Sequence, residues 1–236
     1  MKCPPPKHNS IEIMPIARFI LSGKSEEKMK SGVALAIFTA LAIVRATAAY
    51  ADGGPLGIDH RLSKDESGIW SRHNQLLFLN TMILGEVAGG LWEGGETRLG
   101  KTFWQSIDAT LISAVTTTAM KPVFSRERPS EENNPDKWFQ SGSHESFPSG
   151  EVATISAIVT PFVLEYRQDS PSVYLLELLP AYDAMARMKS QAHWQTDVLA
   201  AWGIGTAAGY YTHSRDRSFT LHVLPDGFRI GIKKQF

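Results

Sequence analysis

One cysteine occurs in 236 residues, Cys3, close to the amino end. A disulfide framework is therefore excluded, and downstream of that residue so are thiol catalysis and cysteine–zinc sites. Charge of one sign is also missing. The whole chain has 24 Lys+Arg and 24 Asp+Glu, and from Asp52 onward the balance is 17 against 21. With no long basic run and no basic–aromatic stripe, nucleic acid is not expected as a partner. Apolar runs are short. Val152–Leu164 and Val198–Tyr211 are interrupted by Thr, Ser, Pro or Gly and fall below the roughly 18 residues that mark a membrane span, so they read as buried helices. His60, His73, His213 and His222 show no metal-ligand spacing, and neither a metal nor another cofactor is expected.

The amino end reads as an export signal. Met29 and Lys30 precede the apolar run Val33–Val44, and Ala49-Tyr50-Ala51 supplies small residues where a signal peptidase reads. Cleavage is expected after Ala51, which would place the protein in the periplasm. The competing reading is an uncleaved anchor, but about 12 apolar residues are too few to cross a bilayer. Residues 1–28, with Pro4-Pro5-Pro6 and a mixed-charge stretch from Lys24 to Lys30, read as a non-structural upstream segment. Residues 29–51 are then the signal peptide, and 52–236 a single domain, long enough for one large core.

That domain reads as mainly α. Apolar periodicity gives helices near 74–90, 102–120, 151–166, 172–187 and 194–212. The stretch Ser125–Gly142 is a long polar loop. Gly203-Ile204-Gly205 with Ala208 mimics a dinucleotide fingerprint but sits in a helical stretch, so small-residue packing explains it. The tail alternates on either side of Pro225-Asp226-Gly227, a short β-hairpin signal.

Three segments carry chemistry. In KPVFSRERP, Lys121 and Arg128 stand seven apart. A helix beginning near Pro122 and stopping before Pro129 would leave both cations reaching toward one anion, with Arg126 solvated. In FPSGE, Ser149 can cap a helix or donate to an anion, and Gly150 lets main chain approach a ligand at the positive helix end. In RMKSQAHWQTD, His193 and Asp197 are four apart on one helical face. A carboxylate there can orient the imidazole and leave its other nitrogen as a nucleophile. Arg187 adds a third cation. Each segment alone has a bland reading: solvated cations, an ordinary N-cap, a surface His–Asp pair. Their joint occurrence in this order is much harder to obtain by chance.

Together they resemble the type 2 phosphatidic acid phosphatase superfamily, which also holds bacterial acid phosphatases and vanadium haloperoxidases. Lys121, Arg128 and Pro129 match its first motif. Pro148, Ser149 and Gly150 match the second, and Arg187, His193 and Asp197 the third, with Ala186 in place of a serine. The resemblance implies an all-α bundle. It implies that Lys121, Arg128, Ser149, Gly150 and Arg187 bind phosphoryl oxygens. His193 would attack phosphorus to form a phosphohistidine, oriented by Asp197, and water would release it. The substrate would be a phosphate monoester or pyrophosphate, as a small molecule or a lipid or isoprenoid head group. A modest apolar patch could bring such an enzyme to a membrane surface.

Glu151 departs from the pattern, which has a leaving-group histidine there. Neighbouring cations should keep a glutamate ionised, so slow turnover is expected at neutral pH. Better activity is expected in acid, where Glu151 could act as the general acid, or with leaving groups that need little protonation. His144 reads as a surface residue. The alternative function is a phosphate-binding or scaffold homologue whose site is closed by Glu151 pairing with Arg187 or Lys121. A vanadate-dependent peroxidase is a third reading, against which Glu151 counts.

Overall fold

Polar side chains cap the starts of the first two long helices. In the computed structural model, which describes residues 53–142, 144–215, 218 and 220, helix α1 spans Arg72–Glu93. The Ser71 hydroxyl accepts from Asn74 N at its start, and Gly94 at φ 70° ends it, a conformation that costs glycine nothing. Helix α2, Arg98–Phe124, is capped by Thr97, whose hydroxyl accepts from Gly100 N at 2.9 Å. Helices α3 (Gly150–Tyr166), α4 (Leu178–Lys189) and α5 (Gln195–His213) follow. Two 3-10 turns, Gly68–Trp70 and Pro171–Glu177, precede α1 and α4. The helix expected over 172–187 thus divides at Leu178. No strand occurs among the described residues; the upstream and signal segments and the hairpin near Pro225 lie outside them.

Helix α3 is the axis of the bundle, packing against all four other helices. Every residue from Val152 to Pro161 is buried, as is Val163, which is why this stretch reads as continuously apolar instead of amphipathic. Each fully buried Val or Ile there contributes about 1.5–3 kcal/mol relative to exposure. Helix α5 reaches α3 closely because of its glycines. A Cβ on Gly205 would stand 2.3 Å from the Ala153 carbonyl oxygen, and one on Gly209 2.6 Å from Thr160 Cβ. Gly205 and Gly209, not a nucleotide loop, account for the small-residue run.

The bundle also buries a carboxylate. Glu86 of α1 accepts from Ser106 Oγ at 2.8 Å and Thr110 Oγ1 at 3.2 Å on α2. Burial pushes its carboxyl up to about 7, against these two hydrogen bonds. On the outside of α1, Leu77, Leu84, Leu91 and Trp92 are exposed. None of the described helices is long and apolar enough to cross a membrane.

Pro122 corrects one expectation. It lies inside α2, which ends at Phe124, so no new helix begins there; Lys121 sits in the last turn of α2 and Arg128 in the loop beyond. A proline is tolerated there because the lost N–H affects one carbonyl a turn back and the helix stops at Phe124. Ser125, at φ 35°, turns the chain out of the helix.

Candidate active site

The loop after α2 is tied down by the residue expected to be solvated. Arg126 is fully buried. Its guanidinium donates to Asp59 Oδ2 at 2.6 Å, Asp197 Oδ1 at 2.5 Å and Thr196 Oγ1 at 2.8 Å. It also donates from Nε and Nη2 to the Pro135 carbonyl, so all five N–H groups are used. The plane lies 4.1 Å from the Trp138 ring centre, a cation–π contact. Trp138 packs against Phe124, Phe139 and Phe147. Asp59 in turn accepts from Thr196 N and Oγ1 at 2.8 and 2.7 Å. The amino-terminal loop, the loop after α2 and the start of α5 are therefore clamped through one guanidinium.

That clamp positions Asp197 and, through it, His193. Asp197 accepts from Arg126, from Ser146 Oγ at 2.5 Å and from Trp194 N at 2.9 Å. Burial pushes its carboxyl up against those partners, but every partner is a donor. The His193 Nδ1 contact goes to the Ser146 carbonyl at 2.6 Å, while Asp197 Oδ2 is 3.9 Å away. Direct orientation by Asp197, as expected from the i,i+4 spacing, is replaced by orientation at one remove: Asp197 holds Ser146, and Ser146 holds the ring. A carbonyl only accepts, so Nδ1 carries the hydrogen and Nε2 the lone pair. Burial, then the charges of Arg187, Lys121 and Arg128, hold the imidazole well below its ordinary pKa, with the Ser146 bond opposing. His193 is a neutral base with three cations around it.

Those cations come from three elements. Lys121 is in the last turn of α2, Arg128 in the loop beyond, and Arg187 in the last turn of α4. Lys121 Nζ donates to the Glu145 carbonyl at 2.9 Å. The Glu145 carboxylate lies between Lys121 and Arg128, 3.9 and 3.8 Å from them. Glu131 accepts from Arg128 N and from His144 Nδ1, which places His144 at the rim. Burial lowers the Lys121 pKa, as do Arg128 and Arg187, while Glu145 opposes them.

Helix α3 opens on this cluster. Ser149 is its N-cap, yet its hydroxyl makes no cap hydrogen bond. Ser149 Oγ and Arg187 Nε are buried and have no hydrogen-bond partner among the described residues. Gly150 is not demanded by the protein, since a Cβ there would meet only Thr117 Oγ1 at 3.8 Å. Buried donors, an uncrowded glycine and a helix N-terminus are the elements from which anion-binding sites are built.

Glu151 is held by Arg72 of α1. Its two oxygens accept from Arg72 Nη1 and Nη2 at 2.9 and 2.8 Å, and Oε1 is 3.7 Å from Arg187 Nη1. Burial would raise its pKa, but the Arg72 hydrogen bonds and the charges of Arg187, Arg72 and Lys121 hold it below the ordinary range. Gln75 joins the group, its Oε1 accepting from Arg187 Nη1 at 2.9 Å and from Arg72 Nη1 at 3.3 Å. Asp183, one turn before Arg187, is fully buried with neither oxygen hydrogen-bonded among the described residues. Burial, with Glu151 adding to it, pushes its carboxyl up to about 7.

Arg72, Gln75, Ser146 and Asp59 carried no signal in the motifs. Arg72 is 79 residues from Glu151 in the chain, and a lone arginine at a helix start reads as solvated.

No group of His, Asp or Glu among the described residues could hold a metal. A buried histidine, converging cations and a helix N-terminus in an α bundle have chemistry suited to an oxyanion. Residues 103–219 match the family model of the PAP2 superfamily, and the chain belongs to that superfamily. Membership supports phosphatase-type chemistry in general. No curated protein and no solved structure gives a match. Arg72, Gln75 and Asp59 fall outside the matched segment.

Proposed function

We propose that the protein is a phosphoric ester or anhydride hydrolase acting through a phosphohistidine at His193. The observation that carries this reading is the pairing of a buried, neutral imidazole with unsatisfied donors. His193 Nδ1 is committed to Ser146, and Ser149 Oγ and Arg187 Nε have no partner among the described residues. A phosphoryl group placed against Nε2 supplies the missing acceptors. Lys121, Arg128, Arg187 and the first-turn N–H groups of α3 meet its charge, which grows as the bond to His193 forms. Arg126 and Asp197 hold the frame and need not touch substrate. We take the protein to be exported after cleavage at Ala51. The exposed leucines and Trp92 of α1 support a lipid phosphate as one substrate.

A second reading has its own support. Glu145 bridges Lys121 and Arg128, and Glu151 is fixed as an ion. Both favour a phosphate-binding homologue with little turnover.

Phosphate release on an aryl phosphate and a lipid diphosphate, from pH 4 to 8, decides between them. The protein would start at Asp52. Release abolished in His193→Ala supports the hydrolase. Release from Glu151→His but not from the natural protein supports the binding homologue. Recovery of the mature amino terminus at Asp52 from the periplasm tests export.

A further inference from the structure

The mouth of this pocket carries a cation where a leaving alkoxide would need a proton. His193 and Asp197 are buried, whereas the side chains of Lys121, Arg128 and Arg72 are 20, 32 and 43% exposed. The nucleophile is therefore at the floor. In-line displacement puts the leaving oxygen opposite the attacking nitrogen, facing the mouth. Toward that side, Glu151 is 3.7 Å from Arg187 and bonded through both oxygens to Arg72. Arg72 stands one carboxylate beyond the pocket arginine. The hydrogen bonds to Glu151 and Gln75 occupy three of its five N–H groups. The other two have no partner among the described residues.

We infer that Arg72 is a specificity-determining residue that binds the leaving phosphate of a diphosphate substrate, with Glu151 as the carboxylate that fixes its guanidinium. This rests on the phosphohistidine reading. The His193 Nε2 lone pair forms a bond to the terminal phosphorus, and the bridging P–O bond breaks. Its electron pair goes to the departing phosphate ester, which leaves as a stable oxyanion and takes no proton. Water then attacks the phosphohistidine: its oxygen joins phosphorus, the P–Nε2 bond breaks with its electron pair returning to His193, one proton of the water passes to solvent, and orthophosphate departs. An alkyl monoester cannot follow this route without protonation of its alkoxide. Glu151, tied to Arg72 as an anion, does not provide it. Arg72 precedes the segment that matches the superfamily, so this selectivity is a property that the family motifs do not carry.

The test compares inorganic phosphate with methylenediphosphonate, a diphosphate whose bridge cannot be cleaved, by calorimetry on the protein from Asp52. The natural protein should bind the diphosphonate at least about tenfold more tightly, the range of one added charge-assisted bond. Arg72→Ala should erase that preference and change phosphate affinity by no more than about twofold. Arg72→Lys, which keeps the charge but not the fork, should keep part of the preference and guards against a folding defect in the alanine variant. Equal affinity for both ligands in the natural protein, or equal losses for both in the variants, overturns the proposal. In the same preparations, kcat/KM should favour an isoprenyl diphosphate over an alkyl monophosphate, and Arg72→Ala should reduce the former by the larger factor. Activity surviving in His193→Ala would instead refute the phosphohistidine, leaving the binding comparison to judge Arg72 separately.

Discussion

Two buried ionic clusters lie side by side in this molecule and differ in completeness. Around Arg126, all five N–H groups have acceptors, and Asp59 and Asp197 are each held by several donors. Around Arg187, Nε, Ser149 Oγ and both oxygens of Asp183 have no partner among the described residues. Both clusters place charge in the interior, which costs free energy unless it is paired. The first has completed its pairing within the chain. The second has not, among the described residues. Burial alone would rank them equal; the count of used donors separates scaffold from site.

Removing Arg126 should have the largest effect. Arg126→Met leaves Asp59 and Asp197 buried without their counterion, and a loss of about 3–5 kcal/mol is expected by urea denaturation. Arg187→Ala should reverse the pattern. Orthophosphate affinity should fall by about 10–100-fold while stability changes by less than about 1–2 kcal/mol, read by calorimetry and denaturation on one preparation. Similar stability losses in the two variants would dissolve the distinction.

Glu86 sharpens it from a third place, a carboxyl held by two hydroxyls and no cation. Its folded pKa, about 7, exceeds the unfolded value, so the native state binds more protons between about pH 4.5 and 7. Its contribution is thus fully present below that window and lost as pH rises through it. Glu86→Gln removes the dependence. Relative to the natural protein, it should gain about 2–3 kcal/mol on going from pH 4 to pH 8. His193 acts oppositely, costing stability as pH falls below its unfolded value, but it is common to both proteins and cancels. The smallest effect is expected of Ser149→Ala. Deleting a buried hydroxyl that lacks a partner should stabilise the free protein by about 0.5–1 kcal/mol and weaken phosphate binding several-fold. Destabilisation would mean that the hydroxyl is satisfied without ligand.

How far the chain's pattern foretold this can be judged from particular residues. The helices were legible because apolar periodicity is local, although it did not single out Ser71 and Thr97, the caps that begin α1 and α2. Lys121, Arg128, Ser149, Arg187 and His193 were legible as a set through motif spacing, and the fold brings them to one end of α3. Arg126 was misread because nothing local separates it from Arg128 two residues on; only Asp59 and Asp197, 67 and 71 residues away, give it acceptors. Arg72 and Gln75 were missed for the same reason. The inward turn of Asp197 toward Ser146 instead of His193 depends on the loop before Pro148, whose path the i,i+4 spacing does not specify.

The central claim is that His193 holds a lone pair on Nε2 against an anion pocket. Nitrogen-15 chemical shifts of the His193 ring, recorded with and without orthovanadate as a phosphoryl mimic, test it most directly. The account predicts a protonated Nδ1 and an unprotonated Nε2 in the free protein at pH 6. Vanadate should shift Nε2 strongly while Nδ1 stays protonated on Ser146. A ring that is doubly protonated at that pH, or one that vanadate leaves unmoved, would contradict it.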